Sequence, residues 1–500
     1  MRYDNNNQLI PETVEDYKEI YGYDILEELE KETSNTSVLN IEVIDVQEFE
    51  QDIDTSDIIR TRVINEGKEN ERNELTLNYA KYSNMFAKLN NLACCNGQFY
   101  TPDGRVSKSF LESEITVNLA EFDWSGKLDS PTNSILKTVG AISYVEELPV
   151  NDRIIPFKNG DLHLDNDGWK FHLNEKKQAA YRLSAKYVPT DKPKPLFDKW
   201  LNDLFYEEDI PTVQEILGYC LVPSTAVQEA FFFIGKGEEG KSIIGHILKE
   251  IMGNAYVAID TKTLLGKSFQ LSQLENRLVA YDDDMKSEAL EETGLLKKII
   301  SADTPLQGEY KFADPYTFTS YAKVVACSNF MINSLHDTSH GFFRRLHPIL
   351  VKPLGERKPV KNFHKLLLDN EKEQIVRWAL EGLQRLIQND WKIHWSSQSS
   401  NYMSNVVSGR VHFDDFIEEV FDNALDNGIH STEYIRLYKA WCKLNAITPC
   451  KDRTLLKWLG DNEEKLGMEK SENIVMNNRR ARGFNGKKIK PEWVQNTVVF

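Results

Sequence analysis

An α/β fold is expected, and three observations predict it. The apolar run Phe231-Phe232-Phe233-Ile234 passes directly into Gly235-Lys236-Gly237-Glu238-Glu239-Gly240-Lys241-Ser242, and a helical pattern opens at Ile243. Two later apolar runs, 278–281 and 322–327, each end in polar residues. Continuous apolar runs of this length are those of parallel strands buried on both faces. Mixed strand and helix patterns stand before this block, and a helix-rich, basic segment stands after it.

The chain has 500 residues, room for about three domains, and 41% hydrophobic residues allow a sizeable core. No run is long and apolar enough for a membrane span, and residues 1–7 are polar, so a cytoplasmic protein is expected. The six cysteines form no CxxC pair, and the adjacent Cys94 and Cys95 read as buried thiols rather than zinc ligands. The net charge is −17, yet residues 1–74 alone hold 21 Asp and Glu against 7 Lys and Arg. The acidity is therefore concentrated in one arm, and local basic patches elsewhere can still meet phosphates.

Four segments follow from the pattern. Residues 1–74 read as an acidic, poorly ordered or partner-binding arm, with a short helix expected near Val14 to Leu29. Residues 75–225 read as mixed α/β. Within them Arg153 to Leu162 is a strand turning at Asn159-Gly160, Lys192-Pro193-Lys194-Pro195 is a linker, and 197–205 and 213–221 are helical. Residues 226–395 hold the candidate chemistry and close with a helix over 361–390, whose apolar stripe reads as core. The Ser/Asn-rich stretch 396–408 reads as a linker to a unit at 410–500. That unit is expected to hold helices over 411–425, 435–442 and 453–459 before a basic run at 479–488.

The motif Gly235 to Ser242 is G-x-x-x-x-G-K-S between a strand and a helix, the context a phosphate-binding P-loop requires. Gly235, Gly237 and Gly240 let backbone N–H groups turn toward phosphate oxygens, and the following helix adds positive potential. Lys241 is expected to neutralise the β- and γ-phosphates and Ser242 to ligate Mg²⁺, so ATP and Mg²⁺ are the expected cofactors. Hydrolysis also needs carboxylates beside the metal and the water. The run ending in Asp282, Asp283 and Asp284 supplies them: Asp282 is read as the metal's and Asp283 as the water's. The register is open by one, so Asp284 could take either role. Asn329, at the end of the next apolar run, can position the attacking water. After it, Arg345, with Arg344 beside it, is the candidate arginine finger. Between these lies a hairpin pattern over 308–318, where Lys311 can grip a phosphate and Phe312 can stack on a base or sugar.

This series of motifs resembles the superfamily III helicases, a branch of the AAA+ ATPases, over roughly residues 130–390. Residues 155–160 and 217–219 resemble the segment ahead of the ATPase in poxvirus-type and phage or plasmid primase-helicases. The resemblance implies an AAA+ core and a hexameric ring with ATP between subunits. It also implies Arg345 acting in trans, Lys311 and Phe312 lining a pore around single-stranded DNA, and 3′ to 5′ movement. Relatives are expected among phages, plasmids and phage-satellite islands, whose initiators load at an origin in a prokaryotic cytoplasm. A full primase domain has no room before residue 130, so primer synthesis is not expected. Helices followed by the run containing Arg479, Arg480, Arg482, Lys487 and Lys488 resemble the winged-helix tails of this family, which would contact DNA. Two other readings stay open: an ATP-switched origin-binding protein that does not unwind, and a scaffold whose acidic arm recruits host replication proteins.

Overall fold

The computed structural model describes residues 2–3, 9–10, 41–45, 58–64, 72–121, 129–165, 168–189, 191–266, 268–285, 290, 293–309, 315–332, 334, 337, 339–355, 360–407, 413–445, 449–476 and 479–495. It is a mixed α/β protein. Among the described residues no helix is long and apolar enough to cross a membrane.

Parts of the acidic arm belong to the folded body. Strand β1 (Ile41–Asp45) pairs in parallel with β6 (Gly168–Leu173), at the edge of a sheet completed by β4 (Ile154–Phe157) and β5 (Gly160–Asp165). The β4–β5 turn is Lys158-Asn159, one residue before the expected Asn159-Gly160, because Gly160 already pairs with Phe157. Strands β2 (Ile59–Ile64) and β3 (Arg72–Leu77) form a hairpin across the boundary expected at residue 74. Ile58 and Leu77 are buried with Tyr82 and Phe86 of α1 (Tyr79–Leu89), Leu111 and Ile115 of α2 (Lys108–Glu121), and Ile135 and Val139 of α3 (Asp129–Ile142). The helix expected near Val14 to Leu29 lies outside the described residues.

The central sheet is parallel throughout. It holds β7 (Ala230–Ile234), β8 (Tyr256–Ala258), β9 (Val279–Asp282), β12 (Lys323–Ser328) and β13 (Leu346–Leu350), in the order β8-β9-β12-β7-β13. Strand alternation explains the continuous apolar runs. Phe231, Phe233, Tyr281, Val325 and Cys327 face one core, while Phe232, Ala280, Val324 and Ala326 face the other. The first core packs α4 (Pro195–Leu204), α5 (Ile210–Tyr219), α6 (Ile243–Met252) and α7 (Phe363–Gln388). Glu371 of α7 serves as a remote cap for α4, accepting from Leu196 N–H at 2.9 Å and Phe197 N–H at 2.7 Å. Strands β10 (Leu306–Gly308) and β11 (Tyr316–Phe318) form the expected hairpin.

Two expectations fail in the C-terminal third. The stretch read as a linker is helix α8 (Ser397–Val407). Ser396 accepts from Ser399 N–H at 3.0 Å as its N-cap, and Met403 and Val406 bury one helical face. Sparse apolar residues sufficed because they fall three apart. The helix expected through residue 425 ends at Val420: α9 (Phe413–Val420) is followed by β14 (Phe421–His430). Pairing with β16 (Arg479–Ile489) overrides the helical pattern there, and Asn423 and Gly428 are weak helix formers. Helices α10 (Ser431–Leu444) and α11 (Asp452–Asp461) and strand β15 (Glu469–Met476) complete this unit. Its antiparallel sheet runs β14-β16-β15 around a core containing Tyr434, Trp441 and Phe484.

Candidate functional site

The polar residues singled out in the sequence gather where the parallel strands end. The C-terminal edge of a parallel sheet leaves loops and helix N-termini facing one crevice. Gly235 to Ser242 joins β7 to α6, Asp282 ends β9, and Asn329 follows β12. Gly235 N–H donates to Ser328 O at 3.1 Å, tying the loop to the strand that carries Asn329.

The loop is folded around a carboxylate of its own, that of Glu239. Gly237 and Gly240 have φ of +116° and +99°, a region closed to most side-chain-bearing residues. The Lys241 ammonium donates to Gly235 O at 3.0 Å and to Glu239 Oε2 at 2.7 Å, and Gly237 N–H donates to both Glu239 oxygens at 2.9 Å. A carboxylate thus takes the donors that a phosphate would use, evidence that these residues fit an anionic phosphate group. Glu239 was not recognised in the sequence as part of the site, nor was Trp200, whose Nε1–H reaches Gly240 O at 3.5 Å. The exposed Ser242 makes no side-chain capping bond to α6, so its hydroxyl is not engaged in closing the helix.

The three aspartates part company. Asp282 is buried, accepts from Thr261 N–H at 2.7 Å, and has a raised pKa because burial disfavours its charge. Asp283 is exposed and accepts from Tyr281 Oη–H at 2.9 Å. The Tyr281 ring packs directly on Gly245, in the first turn of α6 after Ser242. Asp283 therefore shares the face of the sheet that carries α6. Asp284 is exposed.

Asn329 and Gly235 line one cleft of about 670 Å³, whose far wall comes from the C-terminal unit through Asp415, Glu418 and Trp441. Across its mouth Lys236 lies 3.3 Å from Asp415 and 3.2 Å from Glu418.

Arg345 stands elsewhere. It precedes β13 in the register that pairs Leu346 with Ala230, at the N-terminal edge of the sheet. Five residues of β7 at about 3.3 Å each separate that edge from the P-loop, roughly 15 Å. Arg345 bonds Gly341 O, its Nε is buried without a partner, and burial lowers its pKa; Arg344 is exposed. Lys311 and Phe312, between β10 and β11 in the sequence, lie outside the described residues. On β16, Arg479, Arg480, Arg482 and Lys488 are exposed. Lys487 is buried, donates to Asn423 Oδ1, and has its pKa lowered by burial. It points into the unit rather than outward: beyond the register shift at Asn485 and Gly486 it shares a face with Ile489, which packs against the core.

Residues 233–345 match a sequence family described as "Family of unknown function (DUF5906)". No curated protein matches the chain. Among solved structures, the chain is similar to "The A form apo structure of NrS-1 C terminal region-CTR", at 11% identity over 79% of this chain and 95% of that one, with a TM-score of 0.43. It is likewise similar to "The apo structure of NrS-1 C terminal region (305-718)", at 13% identity over 78% and 93%, with a TM-score of 0.39.

Proposed function

We propose that this chain is an ATP- and Mg²⁺-dependent DNA helicase of the superfamily III type, acting in replication as a ring that moves along single-stranded DNA. One observation carries the reading. The P-loop, the aspartates and Asn329 converge at one edge of a single parallel sheet, while Arg345 lies at the opposite edge. A P-loop, a carboxylate pair and a polar sensor are the parts that phosphoryl transfer to water requires. An arginine about 15 Å from its own P-loop can meet a γ-phosphate only in a neighbouring subunit, which favours hydrolysis between subunits. Asp283, on the α6 face, is the better candidate for the metal near Ser242, and Asp282 for support. The sequence alone favoured Asp282 for the metal and Asp283 for the water, with the register open by one. The exposed arginines of β16 would hold duplex DNA, with the C-terminal unit acting as a winged helix.

A second reading draws on Lys236, Asp415 and Glu418. These ion pairs link the C-terminal unit to the P-loop, so nucleotide could switch DNA binding without any unwinding. Strand displacement on a forked DNA with ATP separates the two. Under the helicase reading the wild type opens the fork, Lys241→Ala neither hydrolyses nor unwinds, and Lys311→Ala hydrolyses without unwinding. Hydrolysis with no fork opening, together with ATP-dependent retention on duplex DNA, would replace it by the switch.

A further inference from the structure

The β5–β6 hairpin carries three side chains that the nucleotide chemistry does not use. His163 on β5 pairs with Lys170 on β6, two residues before His172, so the two histidines are diagonal neighbours on one face of the hairpin. Leu162 and Phe171 point the other way into the core. Beyond β6 the chain turns at Asn174, with φ +64°, and brings Glu175 back over both imidazoles. Glu175 Oε2 lies 3.1 Å from His163 Nε2 and 3.3 Å from His172 Nδ1. Its other oxygen is taken by Lys177 Nζ at 3.1 Å. The three ligand atoms lie within 4.8 Å of one another, and the side chains keep between 16% and 24% of their surface open to solvent.

We propose that His163, His172 and Glu175 form a binding site for a divalent transition metal such as Zn²⁺ or Co²⁺. Ligand atoms at the corners of a tetrahedron with bonds of about 2.0–2.1 Å are separated by about 3.3 Å, close to the two separations found. Two imidazoles and a carboxylate select ions of this class over Mg²⁺ or Ca²⁺, which prefer oxygen alone. Three protein ligands leave a fourth position open to water, which the partial exposure permits. The imidazoles, now stacked with centroids 4.3 Å apart, need only tip about their side-chain bonds for their lone pairs to converge. Bound metal would clamp β5, β6 and the turn after them, the segment that leads through the buried Asp161–Arg182 pair (2.7 Å) toward the ATPase sheet.

The test uses the full chain stripped with chelator and free of nucleotide. Co²⁺ titrated by calorimetry and visible absorption should bind once per chain, with d–d bands but no thiolate charge-transfer band. Zn²⁺ should displace it and raise the thermal midpoint by several degrees. His163→Ala/His172→Ala should weaken binding at least a hundredfold and abolish the thermal shift. Glu175→Gln, which keeps the hairpin packing, should weaken it at least tenfold. The metal-free variants should show wild-type far-UV dichroism. Saturable binding that survives both variants, a thiolate band, or no saturable binding by the wild type would each overturn the proposal.

Discussion

The Lys241 ammonium and the Glu239 carboxylate sit 2.7 Å apart inside the P-loop, both nearly buried. Glu239 also accepts the Gly237 N–H. Under the proposed function a nucleotide phosphate would need the same donors, so its binding would have to displace this carboxylate and tolerate it nearby. Neutralising it should remove a competitor while keeping the loop's shape. Glu239→Gln is expected to tighten Mg²⁺-ATP binding by roughly fivefold, equivalent to about 1 kcal/mol, in a fluorescent-nucleotide titration. Weaker binding would instead make Glu239 a direct ligand of the nucleotide or its metal.

Asp282 and Asp283 should respond differently to amidation. Asparagine at 282 can still accept the Thr261 N–H, and Asp282 is turned away from α6. Asp283→Asn is therefore expected to lower ATP hydrolysis at least a hundredfold and to raise the Mg²⁺ concentration needed. Asp282→Asn is expected to cost less than tenfold. Steady-state ATPase assays across a Mg²⁺ series measure both, and the opposite ranking would restore Asp282 as the metal's partner.

The position of Arg345 leads to a mixing experiment. Arg345→Ala alone should cut hydrolysis by about a thousandfold, in the range of arginine fingers, with nucleotide affinity changed less than about threefold. In the proposed ring, Lys241→Ala subunits are expected to be inactive alone but would still present Arg345 to a neighbour. Mixing the two variants should restore part of the activity if the arginine works between subunits. No recovery, in mixtures shown by light scattering to co-assemble, would place its effect within one chain, where its bond to Gly341 O offers a purely structural role.

Much of this was legible in the sequence because it is local. The loop 235–242 between a strand and a helix needs eight consecutive residues and two flanking patterns, and buried strands such as 231–234 announce themselves as apolar runs. What escaped depends on distant partners. Strand order puts β12 between β7 and β9, and no local pattern encodes that. Which aspartate faces α6 follows from where Tyr281 packs. Residues 421–430 became a strand because β16 was available to pair with them. His163 and His172 are nine positions apart, and only the hairpin register makes them neighbours. Glu239 was overlooked for another reason: its role depends on a side chain folding back onto its own loop.

The crossing of α5 and α7 depends on two glycines. A Cβ on Gly218 would lie 2.3 Å from Ala379 O, and one on Gly382 would lie 2.3 Å from Gln214 O. Both obstacles are backbone, so the helices must separate to admit a methyl group. Gln214 Nε2–H donates to Trp378 O at 2.9 Å across this contact, and Arg385 Nε–H donates to Glu215 Oε1 at 2.7 Å. Gly382→Ala is expected to destabilise the fold by about 2–3 kcal/mol despite alanine's better helix propensity. Denaturant unfolding would measure it, and an unchanged or higher midpoint would mean the helices part at little cost.

Lys323 supplies a pH dependence whose sign can be worked out. Its ammonium is buried against Val222 O and Tyr321 O, 4.9 Å from the Tyr219 ring centre, and burial brings its pKa down to about 7. Cys220, the titratable neighbour, is itself pushed up to about 12 by burial and offers no compensating charge near neutrality. An unfolded lysine titrates near 10.4. Between about pH 7 and 10.4 the unfolded chain holds a proton that the folded chain does not, so this group's contribution to stability rises with pH across that window. Below pH 7 both states are charged and the folded state bears the full burial penalty. Lys323→Met removes this pH-dependent contribution. Unfolding free energies at pH 7 and 9.5 should therefore show a wild-type gain over the variant of a few kcal/mol on going to the higher pH. A difference between the two proteins that stays constant with pH would mean the lysine keeps its charge in the folded state.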